Sequence, residues 1–430
     1  MGNSLDIHPP AAVATAALRE RGRHRLRFTF FTLEALNSLA AAYYFNYLFF
    51  YMGDHFGFGN RQNLLLTVLH GFFYTLSAGS AGRFAHRFGH LFALWMGFGG
   101  MGLALLIGSL LPHFLGFSRT CMLAELGVLL LWTFSMCLTW PTLQALLSRH
   151  EAPGEMARTA GTYNVVWSSC AAVSYLTGGA LLERFGGETL FWVPVGLHVL
   201  ELLLLLTLPG EKILLGVKSA PIPAATPAHP PLNPRPISRV RTFLYLGWLA
   251  NPFAYMAING ILPVIPQLAD HLGLSHAAAG LVCSVWFWVR LATFIFLYLW
   301  PGWHYRFRWL LAAFVALSLS FTGILLSPNI TLLILAQVVF GCAVGLIYYS
   351  SLFYSMDGGE STGKRGGFHE AAIGLGVFGG PAVGASALAI WPHAANAGVL
   401  AIGTVLALGL LPFLWIYRRG RTATVPALPR

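Results

Sequence analysis

The sequence predicts an all-α integral membrane protein of twelve transmembrane helices in two six-helix bundles related by a pseudo-two-fold axis along the membrane normal. Three observations predict it. Of 430 residues, 56% are hydrophobic and 10% charged, against about 25% charged in an ordinary soluble domain, too few to cover a globular surface. The apolar residues gather in about a dozen runs of roughly twenty, each long enough to cross a bilayer's hydrocarbon core. A proline-dense break divides these runs into equal sets. The same figures exclude a soluble enzyme, a disordered chain and a disulfide scaffold, and the continuously apolar runs exclude a β-barrel, whose strands alternate.

Apolar windows place spans 1 to 6 at about 28–53, 62–82, 91–111, 120–148, 159–182 and 189–209,. Spans 7 to 12 follow at about 241–268, 277–300, 308–327, 330–356, 366–391 and 395–417,. Residues 1–27 are hydrophilic, Arg-rich and without a small-residue cleavage site, so they read as a cytoplasmic tail ahead of a retained anchor,. The two bundles are then 28–209 and 241–417, with a second cytoplasmic tail at 418–430. Between the bundles, 210–240 holds Pro221, Pro223, Pro227, Pro230, Pro231, Pro234 and Pro236, a density no helix interior tolerates and an extended linker accepts,.

The formal charge of +11 would suggest nucleic-acid binding in a soluble protein,. Here it is an orientation code. Of 26 Lys and Arg, 22 fall in the tails, the linker and the segments on their side, 3 (Arg61, Arg119 and Arg184) fall on the other, and Arg290 lies within span 8. Positive residues stay cytoplasmic, which puts both termini and the linker inside. Cys121, Cys137, Cys170, Cys283 and Cys342 lie in apolar runs without metal or redox spacing and read as small buried hydrophobes,. No cofactor is expected.

A shift of 206 residues sets span 5 (Gly161 to Gly178, with Asn164, Ser168 and Cys170) over span 11 (Gly367 to Gly384, with Glu370, Gly374 and Gly376). Parallel six-helix repeats of this kind underlie one group of alternating-access transporters. Between spans 2 and 3 the chain reads Gly82-Arg83-Phe84-Ala85-His86-Arg87-Phe88-Gly89-His90. This resembles the signature of the major facilitator superfamily at the same place, with His86 where that family usually has Asp and His90 at the basic end. The resemblance covers about 28–417 as architecture and identifies no subfamily. It implies a cavity lined by spans 1, 4, 7 and 10 with parts of 2, 5, 8 and 11. It also implies a gate at Gly82, His86, Arg87 and Gly89 against the start of span 11, where Glu370 stands as a possible acceptor for His86. The family's span-4 Arg is absent, leaving Glu125. Gly376-x-x-x-Gly380-Pro381-x-x-Gly384 resembles an antiporter signature that belongs to span 5. Small residues allowing close helix approach are its plainer explanation, as for Gly341 and Gly345,.

Charged groups inside a bilayer are costly, so each is a functional candidate. Glu34 and Glu370 are the candidates for proton coupling. Arg290, at mid-depth, requires an anion, supplied by an internal carboxylate or by the substrate,. Glu201 and His198, on the peripheral sixth span, read as a local pair. Glu34, Asn37, Ala41 and Tyr44 form a stripe on span 1, and Asn251, Tyr255 and Asn259 another on span 7,. The cavity candidates are thus Asn37, Tyr44, Asn251, Tyr255, Asn259, Arg290, Trp286 and Tyr348, with Asn164 and Trp167 as further gate residues. His70 offers a proton relay, although a neutral hydrogen-bonded ring is its plainer reading,.

The function expected is secondary transport of a small organic solute by alternating access, proton-coupled, by a monomer in a bacterial inner membrane. An uncoupled uniporter is the variant, and a membrane-embedded enzyme the rival class. The isolated His70, His198 and His369 lack the clustering a haem-copper enzyme needs.

Overall fold

The computed structural model describes residues 10–149, 156–210, 237–357 and 362–422. The linker 210–240 lies almost wholly outside the described residues, as do 1–9 and 423–430. The described chain is built of helices. Spans 1 to 3 are Pro10–Phe56, Asn60–Phe88 and His90–Leu115. Span 4 is Arg119–Cys137 continued by Trp140–Arg149, span 5 Met156–Phe185 and span 6 Thr189–Leu206. Span 7 runs Ile237–Ile261, a 3-10 turn Leu262–Val264, and Ile265–His271. Span 8 is His276–Cys283 and Val285–Leu299, span 9 Phe307–Leu325 and span 10 Ile330–Asp357. Span 11 is Thr362–Ile390, and span 12 is Ala397–Leu408 with Leu410–Thr422.

Span 1 starts well before residue 28. Ala11, Ala12, Ala14, Ala16, Ala17 and Leu18 are strong helix formers, so the segment read as a tail carries a helix continuous with the span,. The interruptions elsewhere have sequence causes. Pro141 follows the break at Leu138 and Thr139, Pro263 and Pro266 bracket the 3-10 turn, and Pro412 follows Gly409; each lacks an N–H for the ladder,.

Among the described residues, eleven helices are long and apolar enough to cross a membrane by length and composition, and span 1 is not among them. Glu34, Asn37, Tyr43, Tyr44, Asn46 and Tyr47 lower its hydropathy, and all six are buried in the protein. A helix whose polar groups face other helices does not need an apolar circumference. Outward-facing positions are apolar, among them Leu76, Leu103, Phe114, Leu206, Leu299 and Leu319, as a lipid-facing surface requires,.

Glycines set the closest approaches. A Cβ on Gly376 would overlap the Cβ of Tyr255, and one on Gly380 the carbonyl oxygen of Met256, so the stripe on span 11 brings it onto the backbone of span 7. One on Gly341 would sit 2.7 Å from the carbonyl oxygen of Trp286, and one on Gly345 2.8 Å from Thr293, which seats span 10 on span 8. A Cβ on Gly71 of span 2 would lie 2.8 Å from backbone atoms of Val377 and Phe378 of span 11, a close approach between the two halves,. Gly89, at φ 107°, takes the left-handed turn that joins spans 2 and 3,.

Inside the first half, His198 Nδ1 lies 2.7 Å from Glu201 Oε2, with both side chains fully buried. His198→Ala would leave that carboxyl without its partner. The expected cost is about 1–3 kcal/mol, read as a lower unfolding temperature of the purified protein. Transport per folded molecule should be unchanged, because neither group lines the central cavity.

Candidate functional site

A cavity of about 250 Å³ lies between the halves. Spans 1, 2, 4 and 5 contribute Glu34, Phe45, His70, Trp132, Trp140, Gln144, Tyr163 and Trp167. Spans 7, 8, 10 and 11 contribute Tyr255, Asn259, Trp286, Phe287, Arg290, Tyr348 and Val377.

At the end away from the basic segments the halves meet tightly. Asp54 of span 1 lies 3.5 Å from His276 Nε2 of span 8. The Ala277 N–H donates to Glu183 Oε2 of span 5 at 2.9 Å. The Tyr175 and Phe287 rings stack with centroids 5.0 Å apart. A Cβ on Gly179 would overlap the His276 carbonyl oxygen, and one on Gly280 would lie 2.5 Å from the Tyr47 hydroxyl. Together these contacts close the cavity at that end.

Glu34 is fully buried. Its Oε1 accepts the Ser38 hydroxyl at 2.8 Å and its Oε2 the Tyr163 hydroxyl at 2.7 Å, so donors from spans 1 and 5 hold both oxygens at the cavity wall. His70 Nδ1 lies 2.8 Å from Thr133 Oγ1, whose own hydroxyl donates to the Leu129 carbonyl at 2.7 Å. The ring is therefore the donor at Nδ1.

Arg290 reaches the cavity from span 8 and is 6% exposed. Its guanidinium carbon lies 4.6 Å from the ring centre of Trp167, 5.0 Å from Trp286 and 5.2 Å from Phe287. Three aromatic faces thus stabilise the cation, one of them from the opposite half. Among the described residues no carboxylate lies within ion-pair distance of it.

Beside it, Asn164 Oδ1 accepts the Trp167 indole N–H at 2.9 Å and the Tyr348 hydroxyl at 3.3 Å, joining spans 5 and 10. Trp167 also packs on Phe294 and Tyr348, with centroids 6.1 and 5.7 Å away. Tyr348→Phe removes only the bridging hydroxyl. One such bond is worth about 0.5–1.5 kcal/mol, so the balance between open and closed forms is expected to shift roughly two- to tenfold. The labelling rate of a cysteine at the cavity position Gln144 by a water-soluble maleimide would read that shift.

Of the sequence-derived candidates, Glu34, Tyr255, Asn259, Trp286, Arg290, Tyr348 and Trp167 line this one cavity. Asn37, Tyr44 and Asn251 do not. Asn37 Nδ2 donates to Thr139 Oγ1 at 3.1 Å, Tyr44 packs on Trp132 with centroids 4.9 Å apart, and Asn251 is fully buried in the second half. At about 100° per residue, 37 and 44 lie roughly 60° and 80° to one side of Glu34, whereas 38, 41 and 45 lie within about 40° of it. Ser38, Ala41 and Phe45 accordingly line the cavity with Glu34. His86 and Arg87 are exposed, and Gly82 has open space above it. The Glu370 side chain lies outside the described residues.

Ser38, Gln144 and Tyr163 were not singled out from sequence. Ser38, one turn from Glu34, carried a usable signal, since a hydroxyl four residues from an acid on a helix lies within its reach. Tyr163 and Gln144 carried none without the helix packing.

The class is now defined: a polytopic helical membrane protein whose two halves enclose a polar and aromatic cavity. A family model described as Major Facilitator Superfamily matches residues 5–175. Comparison with curated proteins finds no match. Among solved structures, the nucleoside transporter NupG superposes with a TM-score of 0.62 at 13% identity, covering 91% of this chain and 99% of that one. A D-xylose–proton symporter gives 0.64 at 12%, covering 91% and 97%. A peptide transporter POT in complex with sulfate gives 0.66 at 14%, covering 92% and 94%. At these identities the likeness is one of fold. The chain has the major facilitator fold, as the resemblance in Gly82–His90 led one to expect.

Proposed function

We propose that the protein is a secondary transporter that moves a small organic solute across a membrane by alternating access and couples it to protons through Glu34. The observation that carries this reading is a cavity lined by both halves, closed at one end and holding a carboxyl group at its wall. The solved proteins sharing the fold are a nucleoside transporter, a D-xylose–proton symporter and a peptide transporter, which supports solute transport without choosing the solute.

The 22-to-3 division of basic residues supports cytoplasmic termini and linker, and a bacterial inner membrane,. The closed end then faces outward, and Asn164, Trp167 and Tyr348 form a thin gate towards the cytoplasm. Residues 28–209 and 241–417 are the two moving units, acting as a monomer. The cavity position of Glu34 supports it as the coupling group.

Reconstitution into proteoliposomes tests this. Solutes taken up by the protein should accumulate above equilibrium when a pH gradient is imposed and should only equilibrate without one. Uptake indifferent to the gradient would make the protein a uniporter, and no uptake across a broad solute panel would end the transport reading.

A further inference from the structure

The Arg290 side of the cavity is rich in unanswered donors. Among the described residues, Arg290 Nε and Trp286 Nε1, both from cavity-lining residues, have no hydrogen-bond partner, although their residues are 6% and 1% exposed. Buried donors of this kind carry a desolvation cost until an acceptor meets them.

The three rings around Arg290 stabilise its face but accept none of its N–H groups in the plane, where guanidinium bonds are strongest. The carboxylate sharing the cavity, Glu34, has each oxygen already engaged by Tyr163 or Ser38. A permanent cation with a second unanswered donor beside it specifies an anion.

The rest of the wall limits what the anion can be attached to. Phe45, Ile258, Leu262, Ile373 and Val377 are apolar, and the cavity measures about 250 Å³. Beside ligand pockets of roughly 300–1,000 Å³, that is room for a small molecule.

We propose that the ligand of this cavity is a small organic monocarboxylate with an apolar or aromatic body. Its carboxylate docks on the N–H edge of Arg290, with Trp286 as a supplementary donor, and its body lies along the apolar wall. The proposal rests on the transport reading for its biological sense, but its test is one of binding. Thermal unfolding of the purified full-length protein is followed with acetate, benzoate and cinnamate, each beside its carboxamide, which keeps shape and removes charge.

At least one acid should stabilise the protein, with its amide at least tenfold weaker in apparent affinity. Arg290→Gln should abolish the acid's effect, and Arg290→Lys, which keeps the charge and loses the planar fork, should retain part of it. Amides equal to their acids, an acid effect that survives Arg290→Gln, or no stabilisation by any acid would each overturn the proposal. The acid–amide comparison on the unaltered protein stands even if a variant fails to fold. Binding without vesicle uptake would refute transport and leave this site intact, whereas uptake blind to ligand charge would refute the site and leave transport.

Discussion

Gly179→Ala is expected to cut uptake at least tenfold by preventing closure of the end now sealed. The added methyl would occupy the position of the His276 carbonyl oxygen and approach the Ala277 nitrogen at 3.1 Å. These are backbone atoms, so no rotamer change relieves the overlap, and spans 5 and 8 must separate instead. Separation also withdraws the Ala277 N–H from Glu183 and His276 from Asp54. A cysteine at Ala279, fully buried one turn from His276 on span 8, should label faster in the variant. Gly127→Ala, where no atom lies within 4 Å, serves as the control and should leave uptake unchanged. Equal labelling and uptake in the Gly179 variant would show that this contact does not govern closure.

Glu34→Gln should abolish accumulation driven by a pH gradient, again at least tenfold, while leaving exchange of solute across equilibrated vesicles. The substitution keeps the side chain's size and one acceptor oxygen, so either Ser38 or Tyr163 can still be answered. It removes the capacity to take up and release a proton. A variant that still concentrates solute would locate coupling elsewhere, with Glu370 next in line. If both exchange and accumulation vanish, Tyr163→Phe discriminates: it removes a donor to the carboxyl but leaves the titratable group, so gradient-driven accumulation should persist at reduced rate.

The architecture was readable because a membrane helix announces itself by length and composition alone. The exception is span 1, recognised from its apolar run although its buried polar residues depress its hydropathy. The site was legible where a residue type is expensive at membrane depth: Arg290 and Glu34 could be singled out because a bilayer tolerates neither without reason. Which face of a helix looks into the cavity is set by its neighbours. Tyr44, one of the stripe's members, therefore turned out to pack inside the first bundle, and Ser38, outside the stripe, lies at the cavity. Tyr163 meets Glu34 across a separation of 129 residues, a pairing that no local pattern encodes.

Trp167 belongs to the first half and Arg290 to the second, yet the cation lies 4.6 Å from the indole. Any motion that parts the halves on this side must draw the two apart and admit water to both. Indole emission shifts to longer wavelength as its surroundings become aqueous, so the conformational cycle has an intrinsic optical signal. Comparing the spectrum with that of Trp167→Phe would isolate it from the chain's other tryptophans. Because the lost contact is worth only about 0.5–2 kcal/mol and hydration of the guanidinium offsets it, this contact by itself adds little bias to the equilibrium whose two states it would report.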